Sequence, residues 1–570
     1  MTHLKDKIRI LIEKEVAKNY PEAQIQVKVE YPGDAMFGDY SSNVAFGLGK
    51  LLGKNPKQIA EELAKNFPLP NWLSKVDCAG AGFLNFHLAP EFLTNFINEI
   101  IKEGEDFGRC GIGNGKTIVT DTSHPNVAKP MGVHHLLSTI IGNSLNRIFA
   151  ASGYKVIRDN YLGDWGTQFG KLIYAYKTWG KEDEIKKNPI PELLKIYVKF
   201  HEEAEKNIGI EDLGRAEFKK LEEGDSENMK LWKWIVDLSL QEFNKLYERL
   251  SITFDYIHGE SFYQDKMQAI IDMGIKKKLF VKGEKGALIA PLDHLKLPPC
   301  IIKKSDGATL YATRDLARTK YWEDTWHPDM MVMVVDSAQM LHFQQFFEVA
   351  RMLEITKAPN IHVVFGRMRF PEKRMSTRKG NIILMEELLD EAIELAYKVV
   401  CEKNPDLSEE KKKLIADKVG IGSVKYAILS QNRLTDVTFT WDKMLSLDGN
   451  SAPYLQYVYA RAKSVLRKAQ KDAKPTKTAI LMEPQELAVA RLLPKLPEVV
   501  ELAAQEFKPN LIANYLFELA CRFNAFYASV PVLQAPTPEV LNARLNLVSA
   551  VATTIENGLK LFGIEVPEEM

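Results

Sequence analysis

Lys116-Thr-Ile-Val-Thr-Asp-Thr-Ser-His-Pro-Asn-Val-Ala-Lys-Pro-Met-Gly-Val-His-His-Leu136 starts with the pattern of a strand and ends with that of a helix. Thr117–Thr120 reads as a strand, and a polar, proline-bearing loop follows it through Pro130. Beyond the loop Leu137, Ile140, Ile141, Leu145, Ile148 and Phe149 share one helical face, with Gly153 at its end. A second strand, Lys155–Ile157, leads to another loop and a helix near Thr167. Far downstream, Met330–Val335 and Ile361–Phe365 are short, fully apolar runs flanking a helix at 338–354. Continuous apolar strands alternating with helices predict an α/β, Rossmann-like doubly wound parallel sheet covered on both faces. Such folds bind ligands at the carboxyl edge of the sheet, where the 121–136 loop falls. Adjacent His134 and His135 can donate to phosphate oxygens there, and the helix N-terminus adds partial positive charge. On those residues alone a plain polar loop is the reading to prefer, with phosphate binding the alternative.

Outward from this stretch the rhythm changes. Leu4, Ile8, Leu11, Ile12 and Val16 predict an amphipathic helix over 4–18, and Asn55-Pro56 reads as an N-cap and first helical residue for 57–67. Phe83–Leu88 alternates like a half-buried strand. These elements make a small α+β domain over 1–108, closed by a glycine-rich linker. The sheet domain is expected over 109–385, with a charged helical insertion at about 181–290. Connecting helices then run over 386–445, and an all-α helical bundle over 446–570. No internal repeat is visible.

The 570 residues are 45% hydrophobic and 26% charged, which is the composition of a globular chain with room for about three or four domains. Lys+Arg and Asp+Glu balance at 75 each, so bulk positive charge cannot drive nucleic-acid binding, although a local basic face can. Arg461–Lys477 is such a face, with seven basic residues against Asp472. The five cysteines are far apart and form no C-x-x-C, which argues against a disulfide scaffold or a cysteine-rich zinc site. The opening residues carry charges where a signal peptide would need an apolar core, and no apolar run approaches the ~20 residues of a membrane span. A soluble cytoplasmic protein is expected.

Several motifs fail on inspection. Gly111-Ile-Gly-Asn-Gly-Lys-Thr117 imitates a P-loop, but Cys110 stands where its first glycine belongs and the segment precedes a strand. His201-Glu202 lacks the second histidine of a metalloprotease helix. A second informative segment is Lys373-Arg-Met-Ser-Thr-Arg-Lys-Gly-Asn381, whose four cations could close over a polyphosphate or could form a solvated loop.

Together, 121–136 and 373–381 resemble the HIGH and KMSKS segments of class I aminoacyl-tRNA synthetases, specifically those of the arginyl-tRNA synthetase family. Further segments carry the resemblance across the chain: Phe37-Gly-Asp-Tyr40, Ser138-Thr-Ile-Ile-Gly-Asn143, Leu162-Gly-Asp-Trp-Gly-Thr-Gln-Phe-Gly170, Leu310-Tyr-Ala-Thr-Arg-Asp-Leu316, Ser430-Gln-Asn-Arg433 and Asp448-Gly-Asn-Ser-Ala-Pro-Tyr-Leu-Gln-Tyr457. The resemblance implies activation of arginine by ATP, with Mg²⁺ on the phosphates, and transfer to tRNA(Arg). It implies no zinc, no organic prosthetic group, no membrane partner and a monomer. The first 108 residues would read the tRNA elbow and the final bundle the anticodon.

By the same resemblance Asp121, Ser123, Asn126, Tyr311, Asp315 and Gln339 hold arginine. A guanidinium is planar, permanently charged and carries five donors, so it needs carboxylates and acceptors in a fixed fork. ATP falls to Pro125, Asn126, Lys129, Gly132 and His135, with Met375, Ser376 and Arg378 from the second loop. Catalysis falls to Lys129, His134, His135, Arg374, Ser376 and Lys379. Lys129 would supply the charge missing at Thr377, where KMSKS has its later lysine. Tyr454, Tyr457, Arg461 and Met570 would face tRNA, the tyrosines by stacking on unpaired bases. The chain departs from the family pattern at Gly132-Val133-His134-His135: glycine replaces the first histidine, and His134 replaces the glycine against which adenine lies. His124 also stands where the family has a small residue. A rival reading keeps RNA binding and loses activation chemistry through this altered segment.

Overall fold

The computed structural model describes residues 3–283, 286–305, 307–370, 383–469 and 478–570. The chain forms two compact units, one of Gly113–Val399 with Gly420–Leu445, the other of Met1–Ile112, Val400–Val419 and Ser446–Met570. Residues 400–419 thus separate from the rest of the 386–445 stretch expected as connecting helices.

The second of these units begins with an antiparallel sheet of β1 (Tyr40–Ser42), β2 (Leu73–Ala79) and β3 (Phe83–Leu88) in the order β1-β3-β2. Asn55 caps the helix Pro56–Lys65 as its sequence requires, its side chain accepting from the Lys57 N–H at 2.9 Å. The C-terminal helices Ala452–Ala469, Leu496–Glu506, Asn510–Ser529 and Pro538–Lys560 belong to the same unit. Glu498 accepts from Tyr31 Oη at 2.5 Å, Tyr40 Oη at 3.1 Å and the Lys5 N–H at 3.0 Å, tying the two ends of the sequence together. Gly108, where a glycine-rich linker is expected to begin, is packed: a Cβ there would stand 2.6 Å from Leu496.

The other unit is built on β4 (Thr117–Asp121), β5 (Lys155–Asn160), β6 (Tyr256–Ile257), β10 (Met330–Asp336) and β11 (Asn360–Phe365), all parallel, in the order β11-β10-β4-β5-β6. Between β6 and β10 lies a small antiparallel sheet of β7 (Val281–Lys282), β8 (Leu288–Ala290) and β9 (Cys300–Lys303). The stretch expected as a helical insertion is therefore divided. Glu182–Arg249 is helical, but Tyr256–Ile257 pairs with β5 as the edge strand and Val281–Lys303 holds the small sheet. Strands of two or three residues have too few alternations to show a period.

Strand order reverses between β4 and β10, and a doubly wound sheet opens its ligand crevice at that switch. The helix Val133–Ala151, which leaves the loop after β4, is buried nearly all round. Its Gly142 is there for close approach: a Cβ would come 2.2 Å from the Thr122 side chain. One apolar core runs under the sheet through Val119, Met333, Leu316, Trp322 and Phe346. A second, of Phe169, Ile173, Leu193, Phe200 and Ile235, takes in Val127 and Ala128 and so anchors the middle of the loop after β4 to the helical insertion. No described helix is long and apolar enough to cross a membrane.

Candidate active site

The loop after β4 is held at several points. The Val127 N–H donates to the Gly163 carbonyl at 3.2 Å, the Gly163 N–H to the Pro125 carbonyl at 3.0 Å, and the Ala128 N–H to Ser239 Oγ at 3.0 Å. His124 and Ala128 take left-handed backbone conformations, φ +61° and +59°, which non-glycine residues adopt only where the surroundings impose them. At the end of the loop Gly132 caps the helix, and this segment meets the exit of the second signature segment. The Val133 N–H donates to the Ile383 carbonyl at 3.1 Å and the Met385 N–H to the Met131 carbonyl at 2.8 Å. The entry, β12 (Met368–Arg369), pairs with β13 (Val437–Thr438). Thus both roots of the second segment are fixed within this unit, while Arg374, Met375, Ser376, Arg378 and Lys379 lie outside the described residues.

His135 is buried, and its Nδ1 accepts from the Gly132 N–H at 3.2 Å. Burial first, then neighbouring His134 and His124, push its pKa down to about 3, so the ring is neutral at physiological pH. A neutral imidazole accepting at Nδ1 carries its proton on Nε2, which makes His135 an uncharged donor. His134 is exposed, its ring centroid 3.9 Å from that of His135. Lys129 is half-buried, with Nζ 5.7 Å from the Tyr197 ring. Pro125 is buried and Asn126 half-buried beside Gly163, where a Cβ would stand 2.5 Å from Asn126 Oδ1. Ser123 is fully buried and bonded to Thr139 Oγ1 at 2.9 Å and Tyr247 Oη at 2.8 Å, which sets it behind the loop.

A chain of charges lies beside this loop, built from the carboxyl end of β4 and the helix Tyr311–Trp326. Asp121, 0% exposed, pairs with Arg318, and Arg318 Nη2 reaches Asp315 Oδ1 at 3.1 Å one helical turn back. The other oxygen of Asp315 meets His342 Nε2 at 2.6 Å. His124 Nδ1 lies 3.2 Å from Asp121 Oδ2. Burial raises Asp121 above the usual carboxylate range, with His124 and Arg318 opposing. For Asp315 the upward effect of burial is outweighed by Arg318 and then His342, and its pKa is lowered.

Nearby, Glu260 Oε1 pairs with Arg314 Nη1 at 3.1 Å. Burial pushes the Glu260 carboxyl up to about 7, with Arg314 opposing and Asp164 and Asp315 adding to the rise. Asp164 accepts from the Ser261 N–H at 2.8 Å and Oγ at 2.6 Å. Among these groups the carboxylates Asp121, Asp164, Glu260 and Asp315 outnumber the guanidiniums Arg314 and Arg318, so the cluster can accept a further cation. Tyr311, 66% exposed, begins the helix, with the Arg314 guanidinium 5.9 Å from its ring. Gln339 is exposed at the carboxyl end of β10, where it caps the helix Met340–Leu353. Among the described residues no group of three or more His, Cys, Asp or Glu side chains is arranged to hold a metal ion.

Asp121, Asp315 and the first loop are thus brought to one crevice. Asp164, Glu260, Arg318 and His342 join them from segments that sequence reasoning did not single out as site residues. One usable signal was present: Arg318 follows Asp315 by three residues on a helix, the spacing of facing side chains.

In the other unit a cavity of about 540 Å³ is lined by Tyr457, Arg461, Arg467, Lys468, Tyr527 and Met570, among others. The Arg461 guanidinium lies 4.6 Å from the Tyr457 ring and 5.1 Å from that of Tyr527, while its Nη1 donates to Asn524 Oδ1 at 2.7 Å. Tyr454 Oη accepts from Asn524 Nδ2 at 2.8 Å, and its ring packs 5.7 Å from Phe517. The basic run around Arg461 continues through 470–477, beyond the described residues.

Comparison with known proteins gives three family matches: an arginyl tRNA synthetase N-terminal domain over 3–88, the catalytic domain of class I tRNA synthetases (R) over 97–441, and a DALR anticodon binding domain over 455–570. The arginine–tRNA ligase of Fusobacterium nucleatum is 44% identical over 565 residues, covering 98% of both chains. That of Clostridium perfringens is 44% identical over 551 residues, 96% of both. Among solved structures, Thermus thermophilus arginyl-tRNA synthetase matches with TM-score 0.83 at 25% identity over the whole of both chains. The Plasmodium falciparum arginyl-tRNA synthetase has the same fold, with TM-score 0.84 at 24% identity and full coverage of both.

Proposed function

The chain belongs to the arginyl-tRNA synthetase family, and on that premise we propose how its residues divide the work of an arginine–tRNA ligase. The reaction has two steps. The arginine carboxylate attacks the α-phosphate of ATP in line with the departing pyrophosphate, giving arginyl-adenylate. A hydroxyl of the 3′-terminal adenosine of tRNA then attacks the activated carbonyl, and AMP leaves. Neither step needs a covalent enzyme intermediate, a prosthetic group or zinc. Both depend on positioning and on stabilising charge that moves onto phosphate oxygens. Mg²⁺ enters with the ATP phosphates as part of the substrate.

The arginine site is carried by one observation, the buried cluster in which Asp315 is held on both oxygens while carboxylates exceed resident guanidiniums. A substrate guanidinium would take Asp315 and Glu260 as its fork, with Tyr311 at the mouth and Gln339 and Asn126 toward the amino-acid backbone. Asp121 and Ser123, being buried and internally bonded, support that fork from behind. His135 donates through Nε2 to a phosphate oxygen without adding charge, so the positive charge on the phosphates falls to Lys129 and to Arg374, Arg378 and Lys379. Ser376, Met375, Pro125 and Gly132 then shape the nucleotide pocket by resemblance to the family. His134, its ring against His135, flanks the place of adenine. The Tyr457–Arg461 cavity receives an unpaired base of tRNA(Arg), with Tyr454 and Met570 at its margins. We place the ligase in the cytoplasm as a monomer.

Charging tests this reading. The full chain with ATP, Mg²⁺ and tRNA(Arg) is expected to attach labelled arginine, but not lysine, to the tRNA and to release AMP. Binding of the tRNA with no charging would leave the RNA-binding rival standing. No observation on the molecule favours that rival.

A further inference from the structure

Arg318 is 2% exposed, yet it sits among the groups that face the crevice. Its guanidinium touches Asp121, reaches Asp315 Oδ1 at 3.1 Å, lies 4.4 Å from the Tyr161 ring and 5.2 Å from that of Trp322, and has Nη2 3.6 Å from Met333 Sδ. We propose that Arg318 is a resident guanidinium that positions Asp315 to receive the guanidinium of the substrate, with Asp121 serving as the counter-ion of Arg318. This rests on the reading of Asp315 as a carboxylate of the arginine site.

Three features carry the inference. Asp315 meets Arg318 on Oδ1 and His342 on Oδ2, the latter at 2.6 Å. Each carboxylate oxygen has two lone pairs, so one on each oxygen is left over, which is what a forked guanidinium takes. The carboxylate is thereby aligned before the substrate arrives, and its ordering is not charged against binding.

The second feature is that the Asp121–Arg318–Asp315 bridge is a poor device for stability. Buried ion pairs repay their desolvation only when every polar atom is satisfied, and apolar replacements of similar volume are often neutral or better. Here Arg318 Nε and Asp121 Oδ1 are buried and meet no hydrogen-bond partner among the described residues. A purely structural bridge would gain by closing those two vacancies.

The third feature is charge. Without a cation between them, Asp121 and Asp315 are neighbouring buried acids, and like charges in such a site force one to take up a proton. A protonated carboxyl offers a poorer seat for a guanidinium. Arg318 opposes that proton uptake at Asp121 and lowers Asp315, leaving the excess negative charge toward Asp315 and Glu260.

The test uses the full chain with tRNA(Arg) in arginine-dependent ATP–pyrophosphate exchange. The double variant Asp121→Asn/Arg318→Met removes both members of the Asp121–Arg318 pair at similar volume and leaves His342 as the partner of Asp315. The single variant Arg318→Lys keeps the charge but cannot span two carboxylates. The double variant is expected to raise KM for arginine about 10- to 100-fold, as displacement of a positioned group does. KM for ATP is expected to stay at the parental value while arginine KM rises, and Arg318→Lys to fall between. A parental arginine KM in folded variants would overturn the inference. So would arginine KM, ATP KM and thermal midpoint all worsening together, or failure of both variants to fold, because each makes Arg318 a structural residue. No exchange by the parent chain would remove the underlying reading of the arginine site, and this inference with it.

Discussion

In the unit built on the parallel sheet, Asp121, Arg318 and Asp315 form a line of charges that water scarcely reaches, whereas around Tyr457 the half-buried cation Arg461 lies over two rings, one of them the exposed Tyr527. The first arrangement surrounds cations with carboxylates in a low dielectric, where each charge is tightly coupled to its neighbours. The second offers a cation and π-faces to the solvent, where a single contact is worth little and affinity is spread over several. The difference teaches where discrimination resides. The buried line can reject a wrong amino acid through one misplaced group, while the wall around Tyr457 tolerates loss of any one contact.

Substitution at each region can break or sharpen that contrast. The largest effect is expected for Asp315→Asn, which removes the charge held by Arg318 and His342. Loss of one partner from a buried charged pair costs about 2–5 kcal/mol, so kcat/KM for arginine in the exchange reaction should fall at least about 30-fold. Tyr457→Ala should act less strongly and on a different substrate. With Arg461 and Tyr527 remaining, loss of one stacking face raises KM for tRNA about tenfold, within the ~1–3 kcal/mol of a base–aromatic contact. Its arginine KM should not move.

Glu260 sharpens the contrast through pH. Its carboxyl is raised to about 7 in the folded chain from the usual 4.5, chiefly by burial. The folded protein then binds more protons than the unfolded between those values, so this group's contribution to stability is complete below about 4.5 and is lost as pH rises through about 7. Arginine binding should run the other way, because only the ionised carboxylate attracts the substrate. Arginine KM should therefore fall as pH rises through about 7, and Glu260→Gln should flatten that profile at the high-KM end. The profile of arginine KM from mildly acidic to mildly basic buffer checks both statements.

His134→Gly should have the smallest effect. Its exposed ring leans on His135 and makes no hydrogen bond among the described residues, so KM for ATP should change by no more than about twofold, as for a surface substitution. A large rise in ATP affinity would instead mark His134 as an obstruction, and a loss of exchange would mark it as a participant.

How much of this was legible beforehand follows from distance along the chain. β4, the polar loop, the long helix with Gly153 and the apolar strands β10 and β11 could all be read, because each carries its own period or turn residue within a short window. Asp121 and Asp315 could be assigned to one site only through their family positions. That Arg318 and His342 hold Asp315, and that Glu260 meets Arg314, depends on packing that joins segments near 121, 260, 315 and 342, which no local pattern encodes. The two-residue strand β6 was missed for the same reason, since its place is set by pairing with β5. Glycines illustrate both cases. Gly153, at φ +83°, could be read as a helix terminator, but Gly108 read as the start of a glycine-rich linker and is packed against Leu496.

The central claim is that a buried carboxylate fork selects a guanidinium for activation by ATP. Its most direct test is ATP–pyrophosphate exchange by the full chain with tRNA(Arg), comparing arginine, lysine and citrulline, the last having the shape of arginine without its charge. The account predicts exchange with arginine alone. Equal exchange with citrulline, or none with any of the three, would contradict it.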